Sequence, residues 1–140
     1  ETTFDRISVI TDSTVGTGAS ALLRIGIYNY SNGLPTTVLL DAGTVLGTAA
    51  STVYEITINT TLQRGWYFLA ANFISLTSVI TYRSPAGPIY GTSVYGDSSI
   101  STTNVNNRFL RESVNVTSGF ATATTFSRTA NGVCVWLRKA

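Results

Sequence analysis

The sequence has no histidine and no methionine, a single cysteine and three prolines, and only 11 % of its 140 residues are charged. Each shortage excludes something. Without histidine the usual general base and the commonest metal ligand are both missing, so neither a Ser-His-Asp nor a Cys-His arrangement can be assembled from this chain. One cysteine, Cys134, excludes an internal disulfide. With Val133, Val135 and Trp136 as neighbours it reads as a small buried hydrophobe. One thiol and no imidazole leave zinc without a ligand set. No run approaches the roughly 18 apolar residues of a membrane-spanning helix. The missing methionine predicts that Glu1 follows an internal cut, and hence that the chain is a module of a longer protein, its C-terminal one given the strand close to Ala140.

The charge balance excludes more. Nine basic against seven acidic residues give a net charge of +2. Arg6, Arg24, Arg64, Arg83, Arg108, Arg111, Arg128 and Arg138 are scattered without a run, which is no footprint for nucleic acid. The carboxylates Glu1, Asp5, Asp12, Asp41, Glu55, Asp97 and Glu112 form no close pair of the kind a glycosidase needs, and they read as solvated surface groups. A calcium loop at Asp97 or Asp12 has no spaced ligands to support it. The chain is expected to be no enzyme and to hold no cofactor or metal.

What is present is strand signal. In Ala21–Val45, Ala21, Leu23, Ile25 and Ile27 alternate with Leu22, Arg24, Gly26 and Tyr28, the period of a half-buried strand. Asn32 and Gly33 accept positive φ cheaply and predict a reversal, after which Val38, Leu40 and Ala42 alternate with Leu39, Asp41 and Gly43. Further strands are predicted over Phe4–Ile10, Val53–Asn59, Leu76–Arg83 and Val133–Arg138. Trp66–Phe73 is apolar on both faces, which suits a central strand covered on both sides or one sealed by a partner subunit; Trp66 and Phe68 are expected to be buried, and Trp66→Ala to cost roughly 3–5 kcal/mol. About eight strands and no sustained helical period give one all-β domain over 1–140. The expectation is an antiparallel β-sandwich of jelly-roll type with little or no helix.

Ser84–Gly132 breaks this rhythm with Pro85, Pro88 and several glycines among Ser, Thr and Asn. It holds short strand-like pieces at Ile89–Tyr95, Phe109–Val116 and Phe120–Phe126, and Arg108–Ser113 fits either a strand or one helical turn. Tyr82, Tyr90, Tyr95, Phe109, Phe120 and Phe126 lie in or beside it. A flat ring with a polar rim suits stacking on the apolar face of a sugar, although large rings are more often simply buried. Long irregular stretches in a compact domain are functional or disordered, and this one is too aromatic for a linker. The candidate binding residues are therefore Tyr90, Tyr95 and Asp97, two rings and a carboxylate within eight residues.

The stretches LRIGIYN, SNGLPTTVLLDAGTV, LQRGWYFLA and the closing VCVWLRK resemble a β-sandwich module of bacteriophage tail fibres and minor virion structural proteins. The resemblance covers Phe4 to about Asn72 and the closing strand, and leaves out Ser84–Gly132. Its motifs are structural: Gly26 in a strand, Asp41-Ala42-Gly43, and Gly65-Trp66-Tyr67. It implies a virion surface location and a homotrimer, context rather than mechanism; together with the aromatic loops it gives the expectation of a tail-fibre tip that adheres to a host cell-surface glycan and contacts other virion proteins, with no nucleic acid and no membrane insertion. The alternative it leaves open is a decoration or capping module that binds neighbouring virion proteins only.

Overall fold

A computed structural model of the chain describes residues 1–15, 20–77, 80–82, 109–111, 116–122, 127–129, 133 and 135–140. It is all-β, with antiparallel sheets and no helix among the described residues. The strands are β1 (Thr2–Val15), β2 (Ala21–Ser31), β3 (Leu34–Gly47), β4 (Val53–Leu62), β5 (Tyr67–Leu76), β6 (Ile80–Tyr82), β7 (Phe109–Arg111), β8 (Ser127–Thr129) and β9 (Val135–Lys139). One sheet is built on β1, which pairs with β4, β6 and β9; the other has the order β3-β2-β5; β7 and β8 form a separate ribbon.

The pairings are nested. β2 and β3 form the hairpin predicted from Ala21–Val45, and β1 pairs with β4 outside it. The same nesting recurs on the other flank, where β2 pairs with β5 and β1 with β6. The chain therefore crosses from one sheet to the other between β1 and β2, between β3 and β4, and between β5 and β6. Asn32 and Gly33 both take positive φ in the hairpin turn, as their chemistry favours.

The two sheets meet through the alternating apolar faces of their middle strands. Ile7 and Val9 of β1 and Ile25 and Ile27 of β2 are wholly buried, and Ile58 and Leu62 of β4 join them. Leu40, Ala42 and Val45 of β3, Tyr67 and Ala71 of β5, and Val135 and Leu137 of β9 close the cluster. Complete burial of each branched side chain contributes about 1.5–3 kcal/mol, which makes this interlock the main stabilising element of the fold. In β3, Ala42 and Val45 share the core although three residues apart. The pairing shifts register between Ile25↔Gly43 and Gly26↔Asp41, and Gly43 takes a φ of +95°. This glycine bulge resets the alternation.

The expectation of a central strand with Trp66 buried within the chain is overturned. Trp66 precedes β5 and is 80 % exposed, and among the described residues β5 stands at the end of its sheet, paired with β2. Phe68 is half-buried. Tyr67 and Ala71 turn to the core while Phe68 stacks with Tyr30 on the outer face. The predicted strand Leu76–Arg83 is also divided: Leu76 closes β5, and β6 begins at Ile80. Phe109–Arg111 is a strand rather than a helical turn, whereas residues 120–122 are not strand. Ile89–Tyr95 and Cys134 lie outside the described residues.

The passage from β3 to β4 is fixed by three side chains. The buried Thr11 hydroxyl donates to Ala49 O at 2.6 Å and accepts from Thr52 N at 3.0 Å. The Tyr54 hydroxyl accepts from Thr48 N at 2.8 Å and Ala49 N at 2.7 Å. Tyr82 completes the corner, with its hydroxyl where a Cβ on Gly47 would stand, so that any larger residue at 47 would have to displace the Tyr82 ring. That hydroxyl is buried without a hydrogen-bond partner. Its burial, with Tyr54 nearby, pushes its pKa up to about 12.

These two hydroxyls make opposite predictions. Thr11→Val strands two backbone groups and should cost about 1–3 kcal/mol, whereas Tyr82→Phe removes an unsatisfied group and should be neutral or stabilising. Because folding raises the Tyr82 pKa, the neutral phenol is favoured in the native state. That contribution is complete below pH 10 and is lost as pH climbs through about 12. Urea midpoints at pH 8 and pH 11.5 should therefore fall further for the wild type than for Tyr82→Phe, and equal falls would refute the assignment.

Candidate functional site

With Ala21, Leu23, Ile25 and Ile27 committed to the core, alternation sends Leu22, Arg24, Gly26 and Tyr28 to the outer face of the β3-β2-β5 sheet. Residues 116–122, part of the irregular second half, are fastened across this face. Arg24 Nη1 donates to both Asp41 oxygens, at 3.0 and 2.9 Å, while its Nη2 donates to Thr117 O at 2.9 Å. Asp41 also accepts from Gly43 N and Phe120 N, each at 3.1 Å. The Tyr28 hydroxyl donates to Ala121 O at 2.8 Å. Arg24 and Asp41 stand on neighbouring strands, and both are needed to hold the crossing segment.

Packing completes the clasp. Phe120 meets Tyr28 edge to face, with ring centres 5.6 Å apart, and lies over Gly26. A Cβ at Gly26 would come within 2.9 Å of the Phe120 ring and collide with Leu40 O. Gly119, at a φ of +142°, makes the turn that brings Phe120 inward, and Val116 is 2 % exposed. The Arg24 side chain is largely buried, and its Nε has no hydrogen-bond partner. Four charge-assisted bonds from three donors on one carboxylate, partly shielded from water, are stronger than a surface ion pair.

Beside the clasp the outer face becomes an aromatic shelf. Phe68 of β5 stands opposite Tyr28, and Tyr30 stacks on Phe68 with centres 5.9 Å apart and planes 16° from parallel. The β2–β5 pairing ends at Asn29↔Tyr67, and Trp66 is the residue just before it. Trp66, Tyr30 and Leu34 are all exposed. Around them are neutral polar groups: Asn29 Nδ2 donates to Thr37 Oγ1 at 3.0 Å, and Thr36 Oγ1 donates to Asn29 O at 3.2 Å.

The residues singled out in the sequence fare differently. Tyr90, Tyr95, Asp97 and Phe126 lie outside the described residues. Phe120 belongs to the clasp and Tyr82 to the β3–β4 corner, both as packed rings. Phe109 opens β7. Among the described residues, no group of three or more Asp, Glu, His or Cys side chains could hold a metal ion. Sequence reading missed Arg24, Asp41 and Tyr30. For Arg24 a signal existed, since a charged side chain in the middle of so apolar a strand needs a partner. Nothing local indicated that Thr117 and Phe120 would be near it. The chain matches no protein-family model, no curated protein and no solved structure.

Gly26→Ala tests the clasp. Overpacking against the Phe120 ring and Leu40 O should cost about 1–3 kcal/mol. It should also loosen the crossing segment, read as faster tryptic cleavage at Arg108, Arg111 or Arg128 under native conditions. Unchanged stability and cleavage would show that Phe120 is not held over Gly26.

Proposed function

We propose that this chain is an adhesion module on the exterior of a bacteriophage virion, the receptor-binding tip of a tail fibre, wound as a jelly roll and acting as a homotrimer on host cell-surface glycans. The resemblance carried by the hairpin and the Gly65-Trp66-Tyr67 motif supplies the virion context. The nested pairing, β1 with β4 around β2 with β3, is what a folded-over antiparallel ribbon of jelly-roll type requires.

The observation that carries the functional reading is the clasp. Residues 116–122 come from the irregular half, and an arginine, an aspartate, a glycine and two aromatic rings are committed to fixing them on the sheet. A passive linker needs no such fixture. A region that presents contacts does, because adhesion requires pre-organised loops on a rigid support. Tyr90, Tyr95 and Asp97 belong to the same half and remain the proposed contact residues, with several weak sites reinforcing one another across a trimer. The reading assigns no catalysis.

A second reading, a decoration or capping module that binds neighbouring virion proteins, is favoured by one feature. Leu69 and Phe73 of β5 and Trp136 of β9 are each about two-fifths exposed, as contacts awaiting a protein partner would be. The double variant Tyr90→Ala/Tyr95→Ala separates the two. Adhesion predicts at least tenfold weaker retention on bacterial cells and on arrayed surface polysaccharides, with folding and oligomeric state unchanged. Undiminished retention would move the site elsewhere, and no retention of the wild type would favour the decoration module.

A further inference from the structure

We infer that β4 joins two copies of this chain edge to edge, antiparallel about a two-fold axis at Thr57, so that each β4-β1-β9 sheet continues into that of the other copy. The inference stands on the chemistry of one strand edge and not on the adhesion reading.

Among the described residues β4 stands at the end of its sheet, paired with β1 alone. Two observations fix which backbone groups it turns outward. Thr11 N donates to Thr52 O at 3.0 Å, which begins the β1–β4 ladder. The hydroxyls of the opposed pair Thr3 and Thr61 meet at 2.9 Å, as side chains do where the two residues share no backbone bond. Alternation along β4 then gives Val53, Glu55, Thr57, Asn59 and Thr61 the amides and carbonyls that point away from β1. The same five residues are exposed, while those between them turn to the core side.

A row of this kind templates further pairing, and folded proteins blunt it with proline, lysine, a bulge or a short strand. β3, at the end of the other sheet, carries Pro35 and the Gly43 bulge. β9 is five residues long and ends in Arg138 and Lys139. β4 has none of these devices. Its alternation runs unbroken over ten residues, six of them β-branched, without proline, glycine or a basic group, and Glu55 is its one charge. Such an edge is built to be paired.

A second copy is the partner that fits. A two-fold axis through the sheet keeps each face on its own side, so opposed residues come from the same face. With Thr57 opposite its own copy, Val53 faces Thr61 and Glu55 faces Asn59, so the single charge never meets itself. On the core side Ile56 faces Ile58 and Tyr54 faces Thr60. All five outward residues are then bonded, for about ten hydrogen bonds, as many as a typical protein interface carries.

Pairing joins copies in twos: an otherwise monomeric chain becomes a dimer, and a trimer held elsewhere becomes a hexamer. Sedimentation at tens of micromolar should therefore give the wild type an even number of chains. Thr57→Pro removes an outward amide without touching the ladder to β1, and should halve that number while the protein stays folded. Thr57→Lys sets two ammonium groups face to face and should weaken pairing severalfold, less so at high salt. Asn59→Lys meets Glu55 of the other copy and should tighten it. In a Cys134→Ser background, spin labels on Val53→Cys, Thr57→Cys and Thr61→Cys should touch at 57 and lie on the order of 25 Å apart at 53 and at 61, since each step from the axis adds about 7 Å. The inference is overturned if the wild type is a monomer or an odd-numbered oligomer, if Thr57→Pro and Thr57→Lys both leave the mass unchanged, if Asn59→Lys loosens the pairing, or if the labels come closest away from 57. Should Thr57→Pro fail to fold, Thr57→Lys and the labels decide. Retention on bacterial cells is read separately: its absence in a wild type that pairs through β4 would sink the adhesion reading and leave the pairing standing.

Discussion

Four branched side chains hold the rest of the molecule in place. Ile7 and Val9 from one sheet and Ile25 and Ile27 from the other are sealed completely from water. A strand cannot turn one set of side chains inward without turning the alternate set outward. The interlock therefore decides not only that the sheets stack but which residues of β2 reach the outer surface. Arg24, Gly26 and Tyr28 face outward because Ile25 and Ile27 cannot, and the clasp exists because those three share one face.

Charge is scarce, and the described ionised groups are used with economy. Arg24 and Asp41 join two strands of one sheet to a segment more than seventy residues further along the chain. Asp5 and Arg138 do a smaller task at the other end of the fold. Arg138 donates to both Asp5 oxygens, at 3.0 and 2.8 Å, and holds that carboxyl below its ordinary range. Asp5 is the extra residue of a bulge, since Phe4 and Arg6 face the adjacent Lys139 and Arg138. This pair is exposed, so it orients β9 against β1 more than it stabilises the fold. Neutral hydroxyls do much of the remaining polar work, with Thr11 the buried example.

The aromatic residues divide by the same logic. Where a glycine opens room beneath a ring, as Gly26 does for Phe120 and Gly47 for Tyr82, the ring is packed and structural. At Trp66 and Tyr30, by contrast, the ring is exposed to solvent.

The sequence alone determined the all-β class, the hairpin from Ala21 to Val45 with its Asn32-Gly33 turn, and the inward set of β2, since alternation and positive φ are properties of neighbouring residues. It also placed β1, β4 and β9 to within a few residues. It did not determine the fate of Trp66. A run that is apolar on both faces reads the same whether its first ring is buried or exposed, and only the tertiary structure distinguishes the two. Nor could it join Asp41 to Phe120 or Gly47 to Tyr82. Those contacts link residues 79 and 35 positions apart, and a missing Cβ announces that something lies close without saying what. Tertiary structure decided them, because which surfaces meet depends on how the ribbon folds over itself, and that is set by the whole core at once.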